Sequence, residues 1–253
     1  MSFSQNHVQK AFLDLIVKTS TDLPEDVEQA LQDALARADQ GTPEAKALET
    51  MLTNVTLARS KRLPLCQDTG MLLFDITSPP EIPRAELQAA AEAAVVEATE
   101  LGVLRQNSVN ALTGKNTGGN LGYGCPIFHW QEGDPGVIQA ALMLKGGGSE
   151  NVSIQYSLPD SSLGAGRDLD GVRACVLDAV WQAQGRGCAP GILGVAIGGD
   201  RATGYEESKQ QLFRRVGQRS PHPELAQLEE RLVAEANQLG IGPMGFGGKT
   251  TVL

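Results

Sequence analysis

The side chains best suited to chemistry are four cysteines and a handful of carboxylates, and their settings differ. Cys66 stands in Leu65-Cys66-Gln67-Asp68-Thr69-Gly70, directly ahead of an apolar stretch, so a thiolate, an amide and a carboxylate can face one cavity. Cys188 lies in the glycine-rich turn Gly185-Arg186-Gly187-Cys188-Ala189-Pro190-Gly191, again ahead of an apolar stretch. Isolated cysteines in glycine-lined turns suit a metal–sulfur cluster, whose sulfides accept backbone N–H bonds and need room free of Cβ atoms. The C-x-x-C pairs typical of zinc sites and ferredoxins are missing, so on spacing alone metal ligation and ordinary thiols both stay open. Cys175 sits on the apolar stripe of residues 172–180 and reads as core packing. Cys125, in Gly122-Tyr123-Gly124-Cys125-Pro126, reads as a loop cysteine.

Two nucleotide-binding patterns fail on context. Gly248-Lys249-Thr250 looks like the end of a phosphate loop, but the first glycine of G-x-x-x-x-G-K-[ST] would fall on Pro243. Gly240, Gly242 and Gly245 fit G-x-G-x-x-G, yet they follow a helical stretch instead of a strand. Of the three histidines, His7, His129 and His222, only His129 follows a glycine-rich loop, and a strand-edge structural role accounts for it equally well. No Gly-x-Ser-x-Gly run supports a serine hydrolase.

The elements that must position these residues follow from periodicity and punctuation. Three helices are predicted within residues 1–62, with Pro24 and Pro43 near first turns. Residues 71–76 read as a strand, and the Ala- and Glu-rich residues 83–101 as a helix ending at Gly102. Strands are expected over 127–131, 137–144 and 152–156, with a short buried strand over 191–197. Helices are expected over 169–184, 206–216 and 224–239, and the final Thr-Val-Leu reads as the start of a strand. The expected fold class is α+β, an N-terminal helical layer (about 1–62) packed on a mixed β-sheet with glycine-rich active-site loops, in a single domain over 1–253.

Composition narrows the function. A net charge of −9 argues against nucleic-acid wrapping and polybasic membrane binding. No apolar run approaches the ~18 residues of a membrane span, and the polar residues 1–9 lack the basic-then-apolar start of a signal peptide, so a cytoplasmic location is expected. In that setting the cysteines are thiols or metal ligands, not a disulfide frame. Of 29 glycines, two lie in the first 100 residues and 27 in the remaining 153, which places tight loops built around something in the second part.

Several segments, in order, carry a resemblance: Leu65 to Gly70, Asn116-Thr117-Gly118-Gly119-Asn120, Lys145-Gly146-Gly147-Gly148-Ser149-Glu150-Asn151, Cys188-Ala189-Pro190-Gly191-Ile192 running to Gly198-Gly199, and residues 242–251. Over residues 10 to 253 the chain resembles the N-terminal domain, or α subunit, of class I fumarases and L-tartrate dehydratases, the iron–sulfur hydro-lyases. The resemblance implies a [4Fe–4S] cluster held by three cysteines, with Cys66 matching the first ligand and Cys188 the second. The third is expected beyond Leu253, downstream of the Gly-Gly-Lys-Thr-Thr element, which points to a truncated chain or fragment; Cys125 is a local substitute candidate. Asp68 matches the active-site aspartate that handles a substrate proton together with a threonine of the other domain. Gln67, Asp68 and Arg105 match substrate-binding positions, and Gly148 a backbone contact to substrate. The implied partners are a small dicarboxylate and a β-type C-terminal swivelling domain or subunit absent here, in a homodimer or α/β assembly. Fumarate hydration is the expected reaction, with tartrate dehydration as the alternative and a cluster-free scaffold or anion-binding module as the non-enzymatic one.

Overall fold

A computed structural model describes residues 5–253; residues 1–4 of the expected helical layer lie outside them. The chain runs α1 (Gln5–Thr21), α2 (Glu25–Arg37), α3 (Pro43–Lys61), β1 (Met71–Ser78), α4 (Arg84–Glu100), β2 (Val109–Asn110), β3 (Lys115–Asn116), β4 (Ile127–Glu132) and β5 (Gln139–Lys145). It continues through α5 (Gly147–Asn151), α6 (Leu169–Ala183), α7 (Arg201–Gln211) and α8 (Pro223–Gln238), with 3-10 turns at Gln184–Gly187 and Pro243–Gly245. The class is α+β. Packing divides the chain into two compact units, residues 5–23 with 53–147, and residues 24–52 with 148–253.

The first unit is built on a three-stranded mixed sheet of order β4-β1-β5, in which β4 runs parallel and β5 antiparallel to the central β1. One face carries Leu72, Phe74 and Ile76 of β1, and α1 and α4 cover it. α4 contributes Leu87, Ala90, Ala91, Ala94, Val95 and Ala98, the three- and four-residue spacing of a buried helical stripe. Its alanines let the helix approach α1 closely. Phe74 is fully buried, edge-on to Phe12 at 5.6 Å and stacked on Phe128 at 5.4 Å. Removing that ring from water contributes roughly 1.5–3 kcal/mol.

Strand direction does the positioning. Parallel β4 begins beside the start of β1, with Leu73 opposite Ile127, and antiparallel β5 ends there, with Met71 opposite Lys145. The loops 66–70, 122–126 and 146–147 therefore gather at one end of the sheet.

The second unit packs α6 on α8. Val172, Leu228 and Leu232 form one apolar cluster, and Val180, Ala236, Ile241 and Val252 another. The Asp168 carboxylate caps α6 by accepting from Gly171 N at 2.8 Å, and Asp200 caps α7 through Thr203 N at 2.8 Å. Side chains also fix the last residues. The Asn237 amide oxygen accepts from Thr251 N and Val252 N at 2.7 and 2.9 Å, and the buried Glu44 carboxylate accepts from Lys249 N and Thr250 N at 2.8 and 2.9 Å.

Four expectations give way. Residues 152–156 form no strand: Ser153 N closes a turn on Glu150 O, and none of the described strands pairs with this segment. Residues 191–197 are neither a strand nor buried, since only Gly191 finds a bridge partner, Val252, while Ile192 and Ile197 stay 42% and 54% exposed. The expected final strand reduces to that bridge. The helix expected over 206–216 starts five residues earlier, where the Asp200 cap fixes its first turn, and stops at Gln211.

Candidate active site

The loop ahead of β1 is held from both sides. Its entry is fixed by Leu65 N donating to Ser20 O at 2.8 Å and by the Asn54 amide donating to Leu65 O at 2.7 Å. Cys66, Gln67 and Asp68 are exposed, whereas Thr69 and Gly70 are buried beneath them. Gly70 has φ of +81°, and a Cβ there would lie 2.6 Å from the Lys145 carbonyl carbon. Only glycine fits the conformation and the space together.

Asp68 is oriented by donors from three segments. Its Oδ1 accepts from Gly70 N at 3.0 Å and from Asn107 Nδ2 at 3.1 Å, and its Oδ2 accepts from Gly147 N at 2.8 Å. The same amide of Asn107 reaches Thr69 Oγ1 at 3.3 Å, and Arg105 N donates to that hydroxyl at 3.1 Å. The Arg105 backbone is thereby tied to the Asp68 loop, while its exposed guanidinium has no ion-pair partner among the described residues. A free fork of this kind can take a carboxylate bidentately. This unit thus brings together Gln67, Asp68 and Arg105 on two laced loops beside Cys66.

Gly148 and Cys188 belong to the second unit. A Cβ on Gly148 would come 3.0 Å from Arg186 O, so this unit sets the Gly148 backbone against the turn that leads to Cys188. Cys188 is exposed and left-handed, with φ of +60°, its N–H bonded to Gly185 O at 3.2 Å. The turn is braced by Met244 N donating to Ala189 O at 2.8 Å.

The other two thiols are differently placed. Burial pushes the Cys175 thiol up from its usual range, in keeping with a core residue, and burial likewise raises the half-buried Cys125, whose Sγ donates to Asn120 O at 3.5 Å. No group of three or more His, Cys, Asp or Glu side chains able to hold a metal ion occurs among the described residues. His129 lies within β4 opposite Asp75, and His222 is exposed at the start of α8.

Sequence reasoning missed Asn107 as a partner of Asp68, as well as the role of Asn120. The amide oxygen of Asn120 accepts from Asn107 N at 2.8 Å and Ser108 N at 3.2 Å, and its Nδ2 donates to Thr99 Oγ1 at 2.9 Å and Arg105 O at 2.7 Å. The available signal was the Asn at the end of Asn116-Thr117-Gly118-Gly119-Asn120.

Comparison with known proteins places the sequence in a family. The family model described as fumarate hydratase (fumerase) matches residues 9–253, and the chain belongs to that family. It is 48% identical over 247 residues to a protein assigned as a class I fumarate hydratase in Geobacillus stearothermophilus, covering 96% of this chain and 48% of the relative. The chain therefore spans about half the length of that relative. It is also 31% identical over 254 residues to the L(+)-tartrate dehydratase subunit alpha of Escherichia coli K12, covering 98% of this chain and 80% of the subunit. A Methanocaldococcus jannaschii protein assigned as the same kind of subunit is 32% identical over 251 residues, with 97% of this chain and 86% of the relative covered.

Proposed function

We propose that this chain is the α-type catalytic domain of a class I fumarate hydratase, both units together forming that domain, and that it works with a β-type domain or subunit in the cytoplasm. The carrying observation is the exposed Asp68 carboxylate, held by Gly70 N, Asn107 Nδ2 and Gly147 N next to Cys66 and Gln67. Family membership and the 48% identity to the Geobacillus relative favour fumarate over tartrate as the substrate. The E. coli and M. jannaschii relatives keep tartrate dehydration as the second reading.

Hydration of fumarate adds a hydroxyl to one olefinic carbon and a proton to the other. In the reverse direction Asp68 takes that proton from the carbon, and its fixed orientation means that no reorganisation is needed at the moment of transfer. Arg105 and Gln67 bind the substrate's carboxylates, Arg105 through a guanidinium with no ion-pair partner among the described residues. The Gly148 backbone supplies a further contact.

Cys66 and Cys188 fit the thiolate donors of a [4Fe–4S] cluster, since both are free, exposed and set in turns flanked by glycine or polar residues. They match two of the three ligands that the family resemblance implies. When bound, such a cluster supplies a Lewis acid that polarises the carbon–oxygen bond of the hydroxy acid.

The test is anaerobic reconstitution with iron and sulfide, with and without the β-type portion, following fumarate absorbance and tartrate consumption. Fumarate turnover by the complete assembly is the expected result. Turnover of tartrate alone would move the reading to the second substrate, and no turnover of either would overturn the hydro-lyase reading.

A further inference from the structure

We infer that Asn107 is a positioning residue for the Asp68 carboxylate, and that the buried Asn120 amide locks Asn107 in place. The inference rests on Asp68 acting at the substrate, as proposed above. Asn107 is exposed, and its amide nitrogen meets three acceptors of the Asp68 loop: Asp68 Oδ1 at 3.1 Å, Thr69 Oγ1 at 3.3 Å and Gly70 O at 3.5 Å. A carboxylate and a carbonyl only accept, so the group turned toward them has to be the NH2. Within the side chains contacting Asp68, this is the donor that can be altered without touching the main chain.

Asn120 explains why Asn107 stays there. It is 3% exposed, and its four bonds take two donors (Asn107 N, Ser108 N) and serve two acceptors (Thr99 Oγ1, Arg105 O). One side chain thus grips residues 105, 107 and 108 and ties them to α4 through Thr99. Thr99 cannot compensate, because its own hydroxyl proton already goes to Val95 O at 2.8 Å. Leaving any of these buried groups unpaired is costly, so the segment has a single low-energy setting.

The experiment uses the complete enzyme, this chain with its β-type portion, loaded anaerobically. Asn107→Ala is expected to lower kcat roughly 10- to 100-fold, the range of a lost hydrogen bond to a charged group, with KM changing less than about threefold. Melting temperature and visible cluster absorbance should match wild type, and Asn107→Gln, which keeps the NH2, should fall between. A kcat within about twofold of wild type, or a KM that rises as kcat falls, would overturn the assignment. Asn120→Asp keeps the shape and the two acceptances but loses both donors, and the double variant should be no slower than the slower single one. Additive losses would overturn the link between the two residues. Amide exchange separates this inference from the functional one. If wild type turns over neither fumarate nor tartrate, the Gly70 N–H should still exchange about tenfold faster in Asn107→Ala, and unchanged exchange would overturn the positioning role.

Discussion

The Asp68 loop and the Cys188 turn both present exposed polar side chains, yet they are held by different means. Around Asp68 the restraint comes from directional hydrogen bonds: Gly70 N, Asn107 Nδ2 and Gly147 N donate to the carboxylate, and the Asn120 amide grips the segment that carries Asn107. Around Cys188 the restraint is conformational: a left-handed Cys188 and a Gly185 whose Cβ would meet Met244 O at 2.5 Å. A carboxylate that moves a proton works only at a defined angle, which directional hydrogen bonds provide. A thiolate bound to a metal takes its final orientation from the metal, so a turn that exposes the sulfur is sufficient. Substitutions can break or sharpen this contrast.

The largest effect is expected at the thiols. Cys188→Ser in the complete enzyme should abolish both visible iron–sulfur absorbance and fumarate turnover, whereas Cys175→Ser, in the core between α6 and its neighbours, should keep the colour. A coloured, active Cys188→Ser enzyme would remove the turn from the cluster.

Next comes Gly70→Ala, which combines a φ of +81° with a Cβ 2.6 Å from the Lys145 backbone. Chemical denaturation should show a loss of about 3 kcal/mol, of which strain and overlap each supply a share. Gly41→Ala, at φ +78° with nothing within 4 Å, is the control for strain alone and should cost about 1 kcal/mol. Equal losses at the two sites would mean that the close approach to β5 does not constrain the Asp68 loop.

In the second unit, Glu44→Ala strands two main-chain donors, Lys249 N and Thr250 N, and should cost about 2 kcal/mol by the same measurement. A cost near zero would show that backbone conformation alone holds this unit's last segment.

The smallest effect concerns Asp22, whose carboxyl the Arg59 guanidinium holds below the usual carboxylate range against the opposing pull of burial. A carboxylate depressed on folding adds stability above its unfolded pKa and loses it as pH falls through the folded value. Asp22→Asn should therefore cost about 0.5 kcal/mol at neutral pH, an amount typical of a solvent-screened pair near the surface, and nothing once wild-type Asp22 is protonated. Thermal melts at the two pH values check the sign.

Much of the framework was legible in advance. α4 reads directly from its alanine stripe and from Gly102, β1 from its apolar run, and α6 from residues 169–184. Residues 152–156 and 191–197 misled because an alternating or apolar run shows a preference for extended backbone but not the neighbour a ladder requires. The start of α7 was missed because Asp200, a cap, follows Gly198-Gly199 and reads as part of a loop. Cys66, Gln67, Asp68 and Arg105 stood out as candidates. Asn107 did not, because an asparagine in a polar loop looks the same whether it faces water or a carboxylate.

By itself the sequence determined the α+β class, the periodic helices and the ordered set of motifs shared with the fumarate hydratase family, all carried by residues near one another in the chain. Only the tertiary structure decided what meets Asp68. Its partners Asn107 and Gly147 are 39 and 79 residues away; Gly147 arrives because β5 runs antiparallel to β1, and Asn107 because Asn120 and Thr69 hold the segment after α4. Strand register is settled by the packing of Phe74, Phe128 and Leu142 on a common face, a cooperative property of the whole core that no local pattern encodes.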